Sequence, residues 1–397
     1  MSKIEDLIKQ HCPNGVEYKE LWELTSWDKK FNGVEKEKQK KVIKYPYLLA
    51  NDINSLVVDN GDVRILSTGI GEIKYTTEEL AGNNLCNGEI VAIPWGGTPN
   101  VKYYKGKFIT GDNRIATSNN TNVLSNKFLY YCMLNDIELI SSFYRGAGIQ
   151  HPSMKAVLSL KIPVPPLPVQ EEIVRILDAF TELEKELEKE LEKRKQQYEY
   201  YRNKLLTFDE NTTGGGIKFM PLSEVCNIYT GGEVPDDSIK GDIPDETHIY
   251  PIYGNGREVY GYSSSYRIDK DAVCISSIGA NTGAVFFYEK YFTPIIRLKV
   301  LVPKNDNLNT RYLYYITSTL TFVSKNGGGI PNMNANDVKK HIIPIPPIEE
   351  QERVVGILDK FDALVNDISI GLPAEINARR QQYEYYRDKL LTFEEVA

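Results

Sequence analysis

The sequence predicts an α+β protein of two related halves, each a strand-rich block followed by a long helix. Residues 194–208 read RKQQYEYYRNKLLTF and residues 379–393 read RRQQYEYYRDKLLTF, so only two positions differ. A second gapless match links residues 162–180, IPVPPLPVQEEIVRILDAF, to residues 343–361, IPIPPIEEQERVVGILDKF. A period near 180 residues is too long for a solenoid repeat of roughly 20–50 residues. It predicts a pseudo-two-fold symmetric protein, and such symmetry usually serves a partner with two related sites.

The composition is that of an ordinary globular protein. A chain of 397 residues has room for two to four folded units with apolar cores. It has neither a secretory signal pattern nor a run of 18 apolar residues, so we expect a cytoplasmic protein without a membrane partner. The five cysteines are scattered and never form a CxxC pair, which argues against disulfides and zinc.

The net charge of −7 is unevenly distributed. Residues 169–211, in the first predicted helix, hold 12 acids against 8 bases. The strand-rich blocks are close to balanced, with 15 acids against 17 bases in residues 18–160 and 13 of each in residues 217–341. Because the acidity lies mostly on a helix, where alternating charge usually marks a solvated face, the overall charge does not exclude DNA binding by the blocks.

Each predicted helix carries an apolar residue every three or four positions from its Pro-rich start, as a heptad seam does. The first helix contains the tetrapeptide ELEK three times in residues 182–193, and Gly371 and Pro373 are expected to break or kink the second. The seam residues that we expect to serve in spacing and subunit docking are Leu183, Leu187, Leu191, Tyr198, Tyr201 and Leu205 in the first copy, and Tyr383, Tyr386 and Leu390 in the second.

The tetrapeptides suggest a spacer. Four helical residues add about 6 Å and rotate the helix end by about 40°. One base pair of B-DNA advances about 3.4 Å and turns about 35°. The alternative reading is an ordinary antiparallel coiled coil that provides stability or dimerisation.

The two strand-rich blocks are also faintly related. Residues 87–114 align without a gap to residues 270–297, which pairs Gly96 with Gly279, Thr110 with Thr293 and Arg114 with Arg297. Their ends match as well, with GAGIQHPSMKAV at 146–157 and GGGIPNMNANDV at 327–338. A shared framework that differs elsewhere fits two readers of different short DNA sequences.

Several residues in the blocks have the chemistry of DNA contact. Arginine and lysine neutralise phosphates or read guanine, and asparagine reads adenine. The candidates are Lys36, Lys38, Lys40, Trp95, Lys102, Tyr103, Lys105, Lys107 and Arg114 in the first block, and Tyr253, Asn255, Arg257, Asn281 and Arg297 in the second. The competing interpretation is structural, because a GANTG turn is usually a hairpin and a lysine cluster is usually a solvated surface. Asn334 and Asp337 have the spacing of a helix N-cap.

The sequence has no recognisable catalytic set. It lacks a GxxxxGK[ST] phosphate loop, an HExxH zinc motif and a complete GxGxxG fingerprint, and its four histidines occur singly. We therefore expect a chain that binds rather than reacts, with no metal and no cofactor of its own.

The order of two variable blocks, each followed by a Pro-rich helix start and a QQYEYYR(N/D)KLLTF ending, resembles the specificity subunit of type I restriction-modification systems. The resemblance covers essentially the whole chain, and its strongest marks are PPLPVQEEIVRILD, PPIEEQERVVGILD and the ELEK units. It implies two mixed α/β target recognition domains, at 17–161 and 214–342. It also implies two helical regions, at 162–213 and 343–397, packed as an antiparallel coiled coil, with a short helical segment at 1–16.

The resemblance also implies the partners. Each recognition domain would read one half of a split double-stranded DNA target, and the helices would set the gap and dock two methyltransferase subunits, with restriction subunits completing the enzyme. S-adenosylmethionine and ATP with magnesium would then bind to those partner subunits. One departure lies at His151 and Ser153, where the second block has Asn332 and Asn334.

Two other function classes stay open. A coiled-coil scaffold that binds only protein would lack salt-dependent DNA affinity. A self-sufficient enzyme would act on DNA as an isolated chain.

Overall fold

The computed structural model of the chain describes residues 3–208, 216–322, 333–367 and 369–396. Its helices are α1 Lys3–His11, α2 Leu21–Leu24, α3 Ala50–Ser55, α4 Glu78–Ala81, α5 Asn126–Asn135, α6 Ile137–Ser142, α7 Met154–Leu158, α8 Leu167–Leu206, α9 Leu222–Val225, α10 Thr310–Thr317, α11 Ala335–Lys339, α12 Ile348–Asn366 and α13 Leu372–Leu391.

Most of the strands are short, and β5 and β6 are the longest. They are β1 Tyr18–Glu20, β2 Thr25–Trp27, β3 Val63–Leu66, β4 Lys74–Thr76, β5 Cys86–Pro94, β6 Lys102–Thr110, β7 Asn113–Ser118, β8 Tyr144–Arg145, β9 His151–Pro152, β10 Lys161–Pro163, β11 Lys218–Pro221, β12 Cys226–Thr230, β13 Ile239–Lys240, β14 Tyr250–Tyr253, β15 Val259–Ser263, β16 Ala272–Ile275, β17 Val285–Tyr288, β18 Thr293–Pro294, β19 Lys299–Pro303 and β20 Ile342–Ile345.

The chain forms two compact units, each made from separated parts of the sequence. Unit 1 comprises Met1–Glu186 and Ile376–Ala397, and unit 2 comprises Leu187–Glu375. The helix α8 contributes its first half to unit 1 and its second half to unit 2.

Unit 1 is built on a six-stranded sheet in the order β2-β7-β5-β6-β3-β4, in which only β3 and β6 run parallel. The helix α5 lies against β5, where Val91 and Ile93 share a core with Phe128 and Leu129. The start of α8 buries Ile173 and Leu177 in the same core. These contacts place the beginning of the long helix at a fixed position on the sheet.

Unit 2 repeats the central part of that topology. Its sheet runs β12-β19-β16-β17, the same order of corresponding strands as β2-β7-β5-β6. A second sheet has the order β13-β15-β14-β18, with β14 and β18 parallel. The apolar faces of α10 and α12 close its main core, which includes Val273, Ile275, Leu313 and Leu358.

A buried glutamine fixes the start of the long helix in each unit. Gln170 donates to the carbonyl oxygens of Val123 and Pro165, both at 2.7 Å, and accepts from the Ser125 amide at 2.9 Å. Gln351 makes the same three contacts in unit 2, with Asn307, Pro346 and Asn309. Each glutamine therefore ties the start of its helix to the preceding loop through three hydrogen bonds to the backbone.

A carboxylate eight residues further along each helix, about two turns away, adds a second link. Asp178 accepts from Lys127 Nζ at 2.8 Å and from Tyr131 Oη at 2.5 Å. Asp359 accepts from Arg311 Nη2 at 2.6 Å and from Tyr315 Oη at 2.5 Å. The duplicated sequence therefore encodes a duplicated attachment between helix and sheet.

Within each unit, a phenylalanine from one copy of the repeat packs on tyrosines from the other. In unit 1, Phe180 lies 6.3 Å from Tyr383 and 5.5 Å from Tyr386 between ring centroids, and Glu184 pairs with Arg380. In unit 2, the corresponding Phe361 lies 6.4 Å from Tyr198 and 5.6 Å from Tyr201.

The predicted break in the second helix is confirmed, since α12 ends at Asn366 and α13 begins at Leu372. A Cβ on Gly371 would lie 2.4 Å from the Ala363 carbonyl oxygen, so the chain needs glycine for this close approach. Asn334 also caps α11 as expected, in a capping box with Asp337. Its counterpart Ser153 stands at the N-cap of α7 without a side-chain cap bond, and Asn332 lies outside the described residues.

Candidate nucleic-acid interface

The basic stretch of the first block surrounds a small cavity in unit 1. Lys36 and Lys38 lie in a 3-10 turn, Lys36–Gln39, and Lys36 and Lys40 are exposed. The turn is held by the buried Gln39, which donates to the carbonyl oxygens of Phe31 and Val34. The cavity, of about 220 Å³, is lined by lysines and by the rings of Trp22 and Trp27.

Lys38 is only partly available for a ligand. Its ammonium pairs with Glu20 at 3.0 Å and lies 5.4 Å from the Trp22 ring centroid. The Trp22 and Lys38 hydrogen bonds lower the pKa of Glu20, so this carboxylate stays charged opposite the lysine. The free positive charge of the stretch therefore comes chiefly from its exposed lysines.

The candidates on β6 divide into two groups. Lys102 donates to the Thr68 carbonyl oxygen at 3.0 Å and to Asn100 Oδ1 at 2.5 Å, and burial with the neighbouring Arg64 lowers its pKa to about 8. Tyr103 donates to Glu89 at 2.7 Å, and burial raises its pKa. Both are committed to internal contacts in this conformation.

Lys105 and Lys107 form the second group. Lys105 is 71% exposed and lies 3.5 Å from Glu89, and Lys107 is half exposed beside Glu78. Such surface pairs contribute little energy, so both lysines can exchange an acidic neighbour for a phosphate.

Arg114 has a structural position rather than an accessible one. Its side chain is 1% exposed and pairs with Asp28 at 2.9 Å and with Asp112. Its guanidinium also lies 4.8 Å from the ring centroid of the half-buried Trp95, which contacts His151. Burial raises the pKa of Asp28 although Arg114 opposes the shift. The expectation that Arg114 contacts DNA is therefore corrected. Two aspartates enclose its guanidinium, and the sequence spacing did not indicate this pairing.

The strand register also corrects the alignment of the two blocks. Arg114 of β7 pairs with Ile93, and Lys299 of β19 pairs with Ile275. Ile93 lies in the core shared with α5 and Ile275 in the core shared with α10, so the two isoleucines are equivalent and Lys299 is the counterpart of Arg114. Lys299 is 5% exposed, and burial, followed by the charge of Arg297, lowers its pKa. The gapless alignment missed two extra residues in the unit 2 loop between Thr293 and Lys299.

In unit 2, the structure brings together the predicted residues Asn255, Arg257, Asn281 and Arg297. Asn255 donates to the Ile296 carbonyl oxygen and accepts from the Ser277 amide at 2.7 Å. Asn281 donates to the Asn255 carbonyl oxygen at 3.4 Å. Arg257, Asn281 and Arg297 are exposed, whereas the amide of Asn255 is occupied by these internal bonds.

Tyr253 supports this cluster from below. Its ring stacks on Tyr288 with a centroid distance of 3.6 Å and an interplanar angle of 6°, and Tyr288 donates to the Gly256 carbonyl oxygen at 3.1 Å. The loop that carries Arg257 therefore rests on a rigid aromatic pair. We call the exposed residues Arg257, Asn281, Ile296 and Arg297 the unit 2 rim.

The predicted docking helices expose an aromatic residue that the seam did not include. Leu183, Leu187, Leu191 and Leu205 are half-buried, whereas Leu390 is buried. Tyr200 and Tyr385 are each 60% exposed, and each contacts the following tyrosine at 5.3 Å. The repeat could have indicated them, because both tyrosines have the same neighbours in the two copies. The choice of seam residues left them out, because neither lies on the spacing of three and four residues.

Two further observations concern other site classes. Within the described ranges, no group of three or more His, Cys, Asp or Glu side chains could hold a metal ion. No helix in the same ranges has the length and apolar character to cross a membrane.

Comparison with known proteins agrees with this arrangement. The profile of the type I restriction modification DNA specificity domain matches twice, at residues 13–193 and 215–378. A type I restriction enzyme specificity subunit from Escherichia coli is 35% identical over 314 residues, covering 70% of this chain and 74% of the relative. A putative type I restriction enzyme specificity subunit from Haemophilus influenzae is 32% identical over 331 residues, covering 77% and 83%.

A solved structure has the same fold. The S subunit of a type I restriction-modification system from M. genitalium superposes with a TM-score of 0.63 at 18% identity, covering 95% of this chain and 96% of that one. The two profile matches span both strand-rich blocks, and the long helix α8 lies within the shared architecture. The chain belongs to the type I restriction-modification DNA specificity family, as a specificity subunit with two such domains.

Proposed function

We propose that this chain directs a type I restriction-modification enzyme to a split double-stranded DNA target. Residues 17–161 and 214–342 are the recognition domains in this proposal, and each reads one half-site. The observation that carries it is a duplicated framework with unlike loops. The strand order, the buried glutamines and the carboxylate links repeat, whereas the loops that lead into β7 and β19 differ in length.

The helical regions 162–213 and 343–397 serve as the spacer, packed as an antiparallel coiled coil around a pseudo-two-fold axis. Within unit 1, Phe180 contacts Tyr383 and Tyr386. One turn further along α8, Glu184 contacts Arg380, which lies one turn earlier in α13. That opposite progression supports antiparallel packing.

The same helices dock two methyltransferase subunits in this proposal. Tyr200 and Tyr385 support it, because each is an exposed aromatic with a lysine about one turn away, Lys204 at 5.8 Å and Lys389 at 5.9 Å from the ring centroids. Exposed tyrosines are common anchors at protein interfaces, and identical patches suit identical partners. Restriction subunits complete the enzyme, S-adenosylmethionine and ATP with magnesium bind to the partners, and the complex works in the cytoplasm.

Exchange of one recognition domain tests the proposal. Residues 17–161 would be replaced with the corresponding domain of a relative, and methylated adenines mapped in cells that express the chain with its methyltransferase subunits. We expect one half of the methylated sequence to change and the other half and the gap to stay. A change in both halves contradicts independent reading. The reciprocal exchange of residues 214–342 is the matched control.

A protein scaffold without DNA binding makes a different prediction. The reconstituted complex should bind its mapped target with an affinity that falls steeply between 50 and 200 mM salt, because phosphate contacts release counterions. Salt-independent or absent binding would favour the scaffold.

A further inference from the structure

The loop of residues 295–298 in unit 2 holds two adjacent residues in a strained conformation. Ile296 has φ of 50° and Arg297 has φ of 60°, and within the described ranges Tyr291 is the one other non-glycine residue with positive φ. A β-branched residue in this region is an outlier, because its side chain crowds the backbone. Glycine or asparagine would adopt the same conformation at lower cost.

The strain is maintained by hydrogen bonds to all four backbone polar groups of the pair. The amides of Ile296 and Arg297 donate to the carbonyl oxygens of Gly232 at 2.8 Å and Gly231 at 3.1 Å. The Ile296 carbonyl accepts from Asn255, and the Arg297 carbonyl accepts from Ser277 at 2.6 Å.

Buried residues anchor the loop on both sides. Ile295 and Leu298, on either side, are fully buried. A Cβ on Gly231 would lie 2.7 Å from the Ile295 carbonyl oxygen, so glycine permits this close approach. The surrounding structure therefore holds the loop in place and exposes the side chains of Ile296 and Arg297.

The loop exposes the aliphatic side chain of Ile296 on a rim that also carries hydrogen-bond donors. Ile296 is 47% exposed, and its Cδ1 lies beside Gly254 in the loop that carries Arg257. Asn255 links it to the rest of the unit 2 rim, because Asn255 donates to the Ile296 carbonyl oxygen and accepts from Asn281 at its own carbonyl oxygen. Arg297 follows Ile296 directly, and Arg257 follows Asn255 by two residues. Backbone strain of this kind gathers at functional sites when the surroundings enforce it. An exposed apolar tip and an asparagine amide on the same rim match the major-groove edge of an A·T pair, because asparagine reads adenine and the thymine methyl is the apolar feature.

We propose that Ile296 is a specificity-determining residue of unit 2 that contacts the 5-methyl group of a thymine, and that Asn255 is a positioning residue that holds it there. The inference rests on the proposed function, since it names how unit 2 reads its half-site. Arg297 projects from the same strained turn and contacts the adjoining base or phosphate.

The counterpart loop in unit 1 lacks the strained pair of residues. Between Thr110 and Arg114 the chain has two residues fewer than between Thr293 and Lys299, and neither Gly111 nor any non-glycine residue there has positive φ. The proposed thymine contact is therefore specific to the half-site that unit 2 reads.

The test combines a protein change with a DNA change. Full-length chain carrying Ile296→Gly would be assembled with its methyltransferase subunits, and binding measured to duplexes of the mapped target in which each thymine of the unit 2 half-site is replaced in turn by deoxyuridine. Wild-type complex should lose about four-fold in affinity at one thymine, the effect of one buried methyl-sized group. The variant should bind the normal duplex about ten-fold more weakly and be insensitive to the same replacement.

Stability separates this outcome from misfolding. Glycine relieves the strain at Ile296, so the variant should unfold at the same or a higher temperature than wild type. Ile243→Gly, which removes an 81% exposed isoleucine from the same unit, is the control and should keep the deoxyuridine response.

The outcomes assign failure clearly. If wild-type complex discriminates its target but both proteins respond equally to every deoxyuridine, or the control loses the response too, the thymine contact is refuted and the proposed function stands. If wild-type complex binds no DNA sequence preferentially, the proposed function itself fails.

Discussion

At the scale of single residues, the sequence alignment pairs two arginines that differ in exposure. Arg114 is enclosed between Asp28 and Asp112 at 1% exposure, whereas Arg297 is exposed on the unit 2 rim. Side-chain type and spacing indicate what a residue can bind, but exposure depends on partners distant in sequence, here 86 residues away. Arg114 therefore serves folding and Arg297 is available for binding.

Replacement of each arginine by glutamine separates these roles. Arg114→Gln should lower the free energy of unfolding by about 3 kcal/mol, because it leaves Asp28 buried without its counter-charge. Arg297→Gln should change it by less than about 0.5 kcal/mol but weaken DNA binding by the assembled complex. Urea denaturation and binding isotherms measure both. Equal stability losses in the two variants would contradict the assignment.

Glu172 gives unit 1 a predictable response to acid. Its carboxylate is 4% exposed and accepts from Arg175 Nη2 and Lys3 Nζ, both at 2.7 Å, which lowers its pKa to about 2. Because the folded pKa lies below the ordinary value of 4.5, the unfolded chain binds the proton first as pH falls. This contribution to stability is thus present above pH 4.5 and is lost as pH falls towards 2.

The variant Glu172→Gln should be less stable than wild type by about 1 kcal/mol at pH 7, since both partners are largely exposed, and this difference should vanish near pH 2. Urea midpoints at several pH values measure it. The exposed neighbour Glu171→Gln is the control, and a difference that persists unchanged at pH 2 would exclude the ion pair as its source.

At the scale of elements, the helices were more predictable than the sheets. The apolar spacing predicts a long helix from the Pro-rich start, and α8 runs Leu167–Leu206, because every link in that pattern is local. The strand order and the longer unit 2 loop could not be derived, since they depend on pairing between distant segments. The strained pair at Ile296 and Arg297 left no signal, because isoleucine and arginine do not indicate positive φ.

The break between α12 and α13 makes a prediction about two glycines. Gly371→Ala should destabilise the chain by about 1–3 kcal/mol, because the new Cβ would lie 2.4 Å from the Ala363 carbonyl oxygen and force the backbone to move. Gly356→Ala, at an exposed position inside α12 with open space around it, should stabilise by about 0.5–1 kcal/mol. Urea denaturation measures both, and shifts of the same sign would contradict the close-approach argument.

At the scale of the whole molecule, duplication explains why one chain can serve a split target. Each copy of the repeat contributes a helix start to one unit and tyrosines to the other: Phe180 meets Tyr383 in unit 1, and Tyr198 meets Phe361 in unit 2. The equivalent contacts use the same residues of the repeat in exchanged roles. A change in helix length between those contacts is therefore the change that tests the spacer without altering either recognition domain.

Deletion of one ELEK unit, residues 186–189, makes that change. It leaves Glu184 and its partner Arg380 in place and shortens α8 by about 6 Å with a rotation of about 40°. Because that rotation is close to the turn of one base pair, we expect the methylated target to keep both half-sites and lose about one base pair from the gap. The length-preserving double variant Glu186→Gln with Glu188→Gln should keep the original gap, which separates helix length from charge. A deletion variant that still methylates the original spacing would show that α8 does not set the distance between half-sites.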